Sequence, residues 1–191
     1  ADTTSRITQR QLTLSASKTY DGTTSLAGKV SIGNLVGSEI LTYSATASNA
    51  HVATAGKYIG SMTLANGSNG GLASNYRLPS LNSANAAVTI NARTLAVSLT
   101  NPGVTKVYDG TTNAGADFVP TYSIAGLVSG DTAANLSDTG RAYNSANVVT
   151  AHELIVSGLS VEKITGGNGS QATDYMLDAP SQSIAATITP A

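Results

Sequence analysis

Two aspartates in matching motifs are the residues that most readily suggest chemistry. Asp21 and Asp109 each follow a tyrosine and precede Gly-Thr-Thr. A pair of carboxylates could bind Ca²⁺ or act as general acid and base. These two occupy equivalent places in separate copies of a repeat, however, and we expect separate modules to hold them far apart. We therefore interpret both runs as structural turns, in which Asp binds the backbone of its own turn, Gly takes positive φ and Tyr packs on the core. The residues concerned are Tyr20, Asp21 and Gly22, and Tyr108, Asp109 and Gly110.

Other reactive or metal-binding patterns are missing from the sequence. There is no cysteine, which excludes thiolate metal ligands and a cysteine nucleophile. Neither an EF-hand loop, a calcium β-roll nonapeptide, a Gly-x-Ser-x-Gly elbow nor a phosphate-binding loop is present. His51 and His152 do not align across the repeat, so we expect them in solvent-exposed loops. We predict no enzyme activity and no cofactor, and leave open a weak Ca²⁺ site of backbone carbonyls with Glu39 or Asp131.

A lysine stands three residues before each aspartate. An isopeptide bond from Lys18 to Asn75, or from Lys106 to Asp174, would join repeat-equivalent pairs beside an acid. The alternative is a lysine that lies along a strand surface. An intact mass equal to the sequence mass would exclude the bond.

The tyrosines divide into two groups. We predict that the tyrosines that recur in both copies pack in the core, namely Tyr20 with Tyr108 and Tyr76 with Tyr175. Asn75 precedes Tyr76 and Asp174 precedes Tyr175, and both belong to the same structural motif. Sugar-binding sites stack saccharide rings on exposed aromatic side chains. The less strictly recurring tyrosines are therefore the candidates for ligand contact, and packing in the core or at its rim is the alternative for each: Tyr43, Tyr58, Tyr122 and Tyr143.

These residues lie on a chain that repeats itself. The Tyr-Asp-Gly run, a Leu-Val followed by an acid, a Val-x-Thr-Ala run and an Asn/Asp-Tyr pair occur twice in the same order. The landmarks predict two modules, residues 1–90 and 91–191. No Gly/Ser-rich or Pro-rich linker lies between them, so we expect a stiff junction. The abrupt start at Ala1 and a closing Ile-Thr-Pro that resembles the start of a third copy indicate an excerpt from a longer protein, with any secretion signal outside this chain.

Alternation of apolar and polar residues predicts that β-strands position these motifs. It is clear at Leu12–Leu14, at Leu95–Leu99, at Ala86–Ile90, at Ile184–Ile188 and through Tyr58, Gly60, Met62 and Leu64. We predict an all-β chain of two small, mostly antiparallel, sandwich-like domains. The alternative is a β-grasp-like sheet with one short helix per module, the helical turn following Asp-Gly-Thr-Thr.

The composition restricts the partners. Charged residues make up 11% of the chain and the net charge is -1, which disfavours nucleic acid and anionic membrane surfaces. No apolar run approaches the length of a membrane helix, so we expect no membrane insertion.

The ordered landmarks, from Tyr-Asp-Gly-Thr-Thr to the closing Ala-x-Ile-Thr-Pro, resemble the YDG-type repeat, which is related to MBG repeats. Such repeats occur in filamentous-haemagglutinin-like and other large secreted bacterial adhesins. The resemblance implies a secreted or cell-surface location and a tandem array with neighbouring repeats as partners. The expected function is a stalk or spacer that holds an adhesive region away from the cell. The alternative is a module that itself binds a glycan, an exopolysaccharide or a host surface protein in adhesion or biofilm formation.

Overall fold

The computed structural model describes residues 6–191 and contains two compact units. One unit ends at Asn91 and the next begins at Ala92. Within the described residues the regular structure consists of strands and two single 3₁₀ turns, which confirms the all-β prediction. No helix in this range is long and apolar enough to cross a membrane.

The strands of the first unit, in chain order, are β1 (Arg10–Gln11), β2 (Thr13–Thr19), β3 (Val30–Gly33), β4 (Leu41–Ala47), β5 (Ile59–Asn66), β6 (Tyr76–Arg77) and β7 (Val88–Asn91). Those of the second unit are β8 (Arg93–Leu99), β9 (Val104–Val107), β10 (Tyr122–Ala125), β11 (Asp131–Ser137), β12 (Gly140–Tyr143), β13 (Glu153–Ser157), β14 (Ser160–Gly166), β15 (Tyr175–Leu177) and β16 (Ser181–Thr189). A 3₁₀ turn precedes β6 at Ala73–Asn75 and β15 at Ala172–Asp174.

Strand β2 is the centre of the first unit, because it pairs with two partners along its length. Its first half is antiparallel to β3, from Thr13 to Ala16, and its second half is parallel to β7, from Ala16 to Thr19. Strands β4 and β5 form an antiparallel hairpin, and β1 lies parallel to β6. Every second residue of β2 is buried, as the alternation of its apolar residues predicts.

The second unit repeats these pairings and adds those of β12 with β13 and β13 with β16, and its strands β8 and β9 together correspond to β1 and β2 of the first unit. Strand β8 is antiparallel to β10 and parallel to β15, whereas β9 is parallel to β16. A loop at residues 100–103 separates β8 from β9 and has no counterpart within the continuous β2. This loop therefore lets the chain pass from one sheet, β10-β8-β15, to the other, β12-β13-β16-β9.

The core of the second unit lies between these two sheets. One cluster joins Leu99 of β8 to residues of the four-stranded sheet, among them Leu154, Val156 and Ile188. Facing sheets with interdigitating apolar side chains are the arrangement of a sandwich.

Two details of the sequence prediction are wrong. The alternation assigned to Tyr58, Gly60, Met62 and Leu64 breaks, because Ile59 is fully buried and Gly60 is exposed. A β-bulge causes the break: Thr46 pairs with Ser61 but Ala47 pairs with Ile59, so Gly60 has no partner across the ladder and the inward face shifts by one residue. The short helical turn lies before β6 and β15 rather than after Asp-Gly-Thr-Thr.

Candidate functional site

The Tyr-Asp-Gly turn of the first unit is organised around a buried lysine ammonium. Lys18, on β2, donates from Nζ to Asp21 Oδ1 at 2.6 Å, to the Thr23 carbonyl at 2.7 Å and to the Ser25 carbonyl at 2.9 Å. Asp21 Oδ1 also accepts from the Thr23 backbone N–H at 2.9 Å. Gly22 supplies the left-handed backbone, with φ of 80°. The three N–H groups of the ammonium are thus used to close the turn.

The second unit repeats this arrangement almost atom for atom. Lys106 donates from Nζ to Asp109 Oδ1 at 2.7 Å and to the carbonyls of Thr111 and Asn113 at 2.8 and 3.0 Å. The Thr111 N–H reaches Asp109 Oδ1 at 2.9 Å, and Gly110 again has φ of 80°. Because the same bonds form in two different surroundings, the turn geometry is a property of the Lys-x-x-Asp-Gly-Thr segment.

The charge of each turn carboxylate is stabilised. Burial raises the pKa of Asp21, but the hydrogen bonds from Lys18 and Thr23 outweigh it, and the pKa lies below the ordinary value of 3.8. For Asp109, the hydrogen bond from Lys106, helped by that from the Thr111 amide, lowers the pKa to about 2. Both aspartates therefore serve as anionic acceptors and not as proton donors at neutral pH.

The lysines do not meet the side chains proposed for an isopeptide bond. The hydrogen bonds of Lys18 and Lys106 keep each ammonium in its own turn. Asn75 is exposed, and Asp174 is fully buried with Oδ2 accepting from the Gln171 N–H at 2.8 Å. Sequence reasoning missed the central role of the lysine, although its constant spacing before Asp-Gly-Thr in both copies was the available signal.

A second repeated contact joins the acid after Leu-Val to the tyrosine of the Asn/Asp-Tyr pair. The Tyr175 hydroxyl donates to Asp131 Oδ2 at 2.5 Å and accepts from the Val128 N–H at 3.1 Å. In the first unit the Tyr76 hydroxyl donates to Glu39 Oε2 and accepts from the Val36 N–H at 3.0 Å. Its bond to Glu39 raises the pKa of Tyr76. Tyr76 therefore ties the loop between β3 and β4 to β6, and Tyr175 ties the loop between β10 and β11 to β15.

The acids considered for calcium, Glu39 and Asp131, therefore each hold a tyrosine hydroxyl. Within residues 6–191, no group of three or more His, Asp or Glu side chains is arranged to hold a metal ion.

The turn tyrosines differ between the copies, contrary to the prediction that both pack in the core. Tyr20 is 1% exposed and stacks on His51 with ring centroids 6.4 Å apart, whereas Tyr108 is 45% exposed. In the second unit Tyr143 is buried instead, at 4% exposure, and the Lys106 ammonium lies 5.5 Å from the centre of its ring. Tyr143 therefore packs in the core, as the alternative interpretation had it, whereas the expectation of a solvent-exposed His51 is wrong, because its half-buried ring packs beside Tyr20.

The other candidate tyrosines are half-buried. Tyr43 accepts at its hydroxyl from the Val30 N–H at 2.8 Å, which ties β4 to β3. Tyr58 forms an isolated antiparallel β-bridge with Ala87. Tyr122 packs against the core of the second unit, and its buried hydroxyl has no hydrogen-bond partner within the described residues. His152 is exposed and bonds to Asn144 at 2.9 Å.

One groove of the second unit, of about 480 Å³, combines apolar and polar side chains. The loop between β8 and β9 and the segment before β10 form its walls, and Tyr143 and Leu154 contribute from the four-stranded sheet. Its lining includes the side chains of Asn101, Thr105, Lys106, Asp117, Phe118 and Tyr143.

Comparison with protein families places both units in one family. The YDG domain matches residues 3–86 and again residues 91–184. The chain belongs to the YDG domain family. No curated protein and no solved structure matches it. In these two YDG domains, the Tyr-Asp-Gly run is the turn that a lysine on the preceding strand closes, and its aspartate has a structural role.

Proposed function

We propose that the two YDG domains are tension-bearing spacers of a secreted bacterial surface adhesin, which hold an adhesive region away from the cell. The observation that carries this proposal is the parallel pairing between the first long strand and the last strand of each domain. Support also comes from the tandem arrangement and the low content of charged residues.

In the first domain, β2 and β7 pair in parallel from Ala16–Val88 to Thr19–Asn91. Additional bonds at the two ends run from the Ala16 N–H to the Ala87 carbonyl at 3.0 Å and from the Tyr20 N–H to the Asn91 carbonyl at 2.8 Å. Since the start of β2 and the end of β7 lie at opposite ends of this parallel pair, tension applied to them slides one strand along the other. All bonds of the ladder then resist together, whereas peeling would break them one at a time.

The second domain has the same ladder between β9 and β16, from Val104–Ala186 to Val107–Thr189. Its closing bond, from the Tyr108 N–H to the Thr189 carbonyl, is 2.8 Å, the same length as that of its counterpart in the first domain. One residue, Ala92, separates β7 from β8. A connection this short has little slack to absorb a pull, which suits repeats that transmit force in series.

The turn lysines act on these ladders directly. Lys18 pairs with Ile90 and Lys106 with Ile188, and each ammonium binds the turn that follows its strand. The turn is thereby anchored to the strand that carries the load, so the strand end does not fray before the ladder fails.

Single-molecule pulling tests the proposal. The chain has no cysteine, so introduced pairs define the pulling direction. Handles at Thr13→Cys and Asn91→Cys shear the β2–β7 ladder, while handles at Thr13→Cys and Ala87→Cys peel it from one end; all three positions are exposed. We expect a several-fold higher rupture force for shear, because the ladder bonds then break together. Equal rupture forces would contradict the mechanical role.

The surface location has a separate test. Antibody raised against the purified chain should label intact cells of the producing bacterium. Labelling that requires permeabilised cells would contradict a surface adhesin.

A further inference from the structure

We infer that the second YDG domain binds a neutral saccharide in the groove between a loop that the first domain lacks and a loop that is shorter in the first domain. This inference goes beyond the spacer role and is carried mainly by Asn101, Asp117 and Tyr143, which take no part in the β9–β16 ladder. The groove, about 480 Å³ in volume, lies beside Tyr143 and Phe118.

Both loops are additions to a common frame, and they meet at one place. The first loop, residues 100–103, interrupts the strand that is continuous as β2 in the first domain. The second is a longer connection between the Tyr-Asp-Gly turn and β10. The Asn101 side chain joins them, donating from Nδ2 to the Val119 carbonyl at 2.7 Å and accepting at Oδ1 from the Thr121 N–H at 2.9 Å. Two added segments held together by a side-chain amide form a preorganised concave wall.

The groove has an apolar side. Phe118 is half-buried, and its carbonyl accepts from Arg141 at 2.9 Å, which fixes the backbone at this residue. Val104 and Leu154 continue the apolar lining. The C–H face of a sugar ring packs on a surface of this kind, because it is the apolar part of an otherwise polar ligand.

The polar groups of the groove are available to a ligand. Tyr143 is nine-tenths buried, and its hydroxyl has no hydrogen-bond partner within residues 6–191. The exposed carboxylate of Asp117 and the exposed hydroxyl of Thr105 are likewise unpaired in the described part of the chain. The Tyr143 hydroxyl and the Asp117 carboxylate, which line the same groove, can bind hydroxyl groups of one sugar, the carboxylate as acceptor and the phenol as donor or acceptor.

Charge selects a neutral saccharide over an acidic one. Lys106 lines the groove, but its ammonium is paired with Asp109 at 2.7 Å. Asp117 therefore adds an uncompensated negative charge, which repels a uronic acid or a sulfated sugar.

Titration of the isotope-labelled two-domain chain with neutral and acidic oligosaccharides tests the inference. The neutral probes are hexamers of β-1,4-glucose, β-1,3-glucose and α-1,4-glucose and of N-acetylglucosamine, and the acidic probe is a hexamer of mannuronic acid. We expect saturable binding of at least one neutral probe in the millimolar range, with amide shift changes centred on residues 101–106 and 115–119. Absence of saturation with every neutral probe, shifts centred elsewhere, or equal or stronger binding of the acidic probe overturns the inference.

Conservative variants examine the individual contacts. Asp117→Asn and Tyr143→Phe should each weaken binding about tenfold, the loss expected for one hydrogen bond of this kind. The matched controls, Glu162→Gln and Tyr122→Phe, remove the same chemical groups outside the groove and should leave affinity unchanged. Unaltered binding by both groove variants contradicts the assignment. Neither result affects the pulling experiment, which concerns strand pairing.

Discussion

Ala47 in the first domain and Tyr143 in the second occupy equivalent positions. The Ala47 N–H donates to the Thr24 carbonyl and the Tyr143 N–H donates to the Thr112 carbonyl, each at 2.7 Å. In the first domain a small residue at this position leaves room for Tyr20. In the second, the Tyr143 ring fills the core beside Lys106, and Tyr108 is turned out to solvent. One aromatic ring thus packs beside the turn in each domain, but Tyr20 follows the end of β2 whereas Tyr143 is the last residue of β12.

Because of this exchange, we expect two tyrosine truncations in the second domain to lower its free energy of unfolding by very different amounts. Tyr143→Ala should lower the free energy of unfolding of that domain by about 3 to 5 kcal/mol, as for other buried aromatic side chains. Tyr108→Ala should cost less than about 1 kcal/mol, because its ring is already half in water. Chemical denaturation followed by the amide signals of each domain measures both. Similar losses for the two variants would show that the rings are not exchanged.

The turn lysine should be a principal stabiliser of the first domain. Lys18→Met keeps the length of the buried stem but leaves the carbonyls of Thr23 and Ser25 without their donor. We expect a loss of about 1 to 3 kcal/mol in the free energy of unfolding, with only a small share from the ion pair because Asp21 is half exposed. Lys29→Met, on an exposed lysine, is the control and should be near neutral. The prediction fails if the two variants unfold at the same denaturant concentration.

Much of this structure could be predicted from the repeat and the residue alternation. The burial pattern of β2 follows from Leu14 and Ala16, and the turn conformation follows from the Asp-Gly pair, since glycine adopts positive φ without steric cost. The paired burial of Tyr76 and Tyr175 follows from their recurrence in both copies.

What could not be predicted depends on contacts between distant segments. Parallel pairing of β2 with β7 joins the two ends of a domain, and local alternation does not reveal direction. The bulge at Gly60 shifts the inward face by one residue, which a strict period of two misses. The exchange between Tyr20 and Tyr143 depends on the size of a residue elsewhere in the core, so recurrence alone assigned Tyr108 to the wrong environment. The groove of the second domain arises from two insertions that meet only in the folded chain.

Acid should weaken both domains through their turn carboxylates. Asp109 has a pKa of about 2 in the folded chain against an ordinary value of 3.8, and the pKa of Asp21 is lowered too. The stability that comes from these carboxylates is therefore fully present above about pH 4 and is lost as the pH falls from 4 toward 2. Asp21→Asn and Asp109→Asn should flatten the dependence of the unfolding midpoint on pH in this window. An unchanged slope in both variants would place the acid sensitivity at other carboxylates.

Removal of a tyrosine hydroxyl should have contrasting effects at two positions of the second domain. The Tyr122 hydroxyl is buried without a partner in the described residues, so Tyr122→Phe removes an unsatisfied polar group and should leave stability unchanged or raise it by up to about 1 kcal/mol. Tyr175→Phe removes the donor to Asp131 Oδ2 and the acceptor for the Val128 N–H and should cost about 1 to 3 kcal/mol. Each variant keeps the ring, so the comparison isolates the hydroxyl. Equal losses in thermal unfolding would mean that the Tyr122 hydroxyl is satisfied in solution.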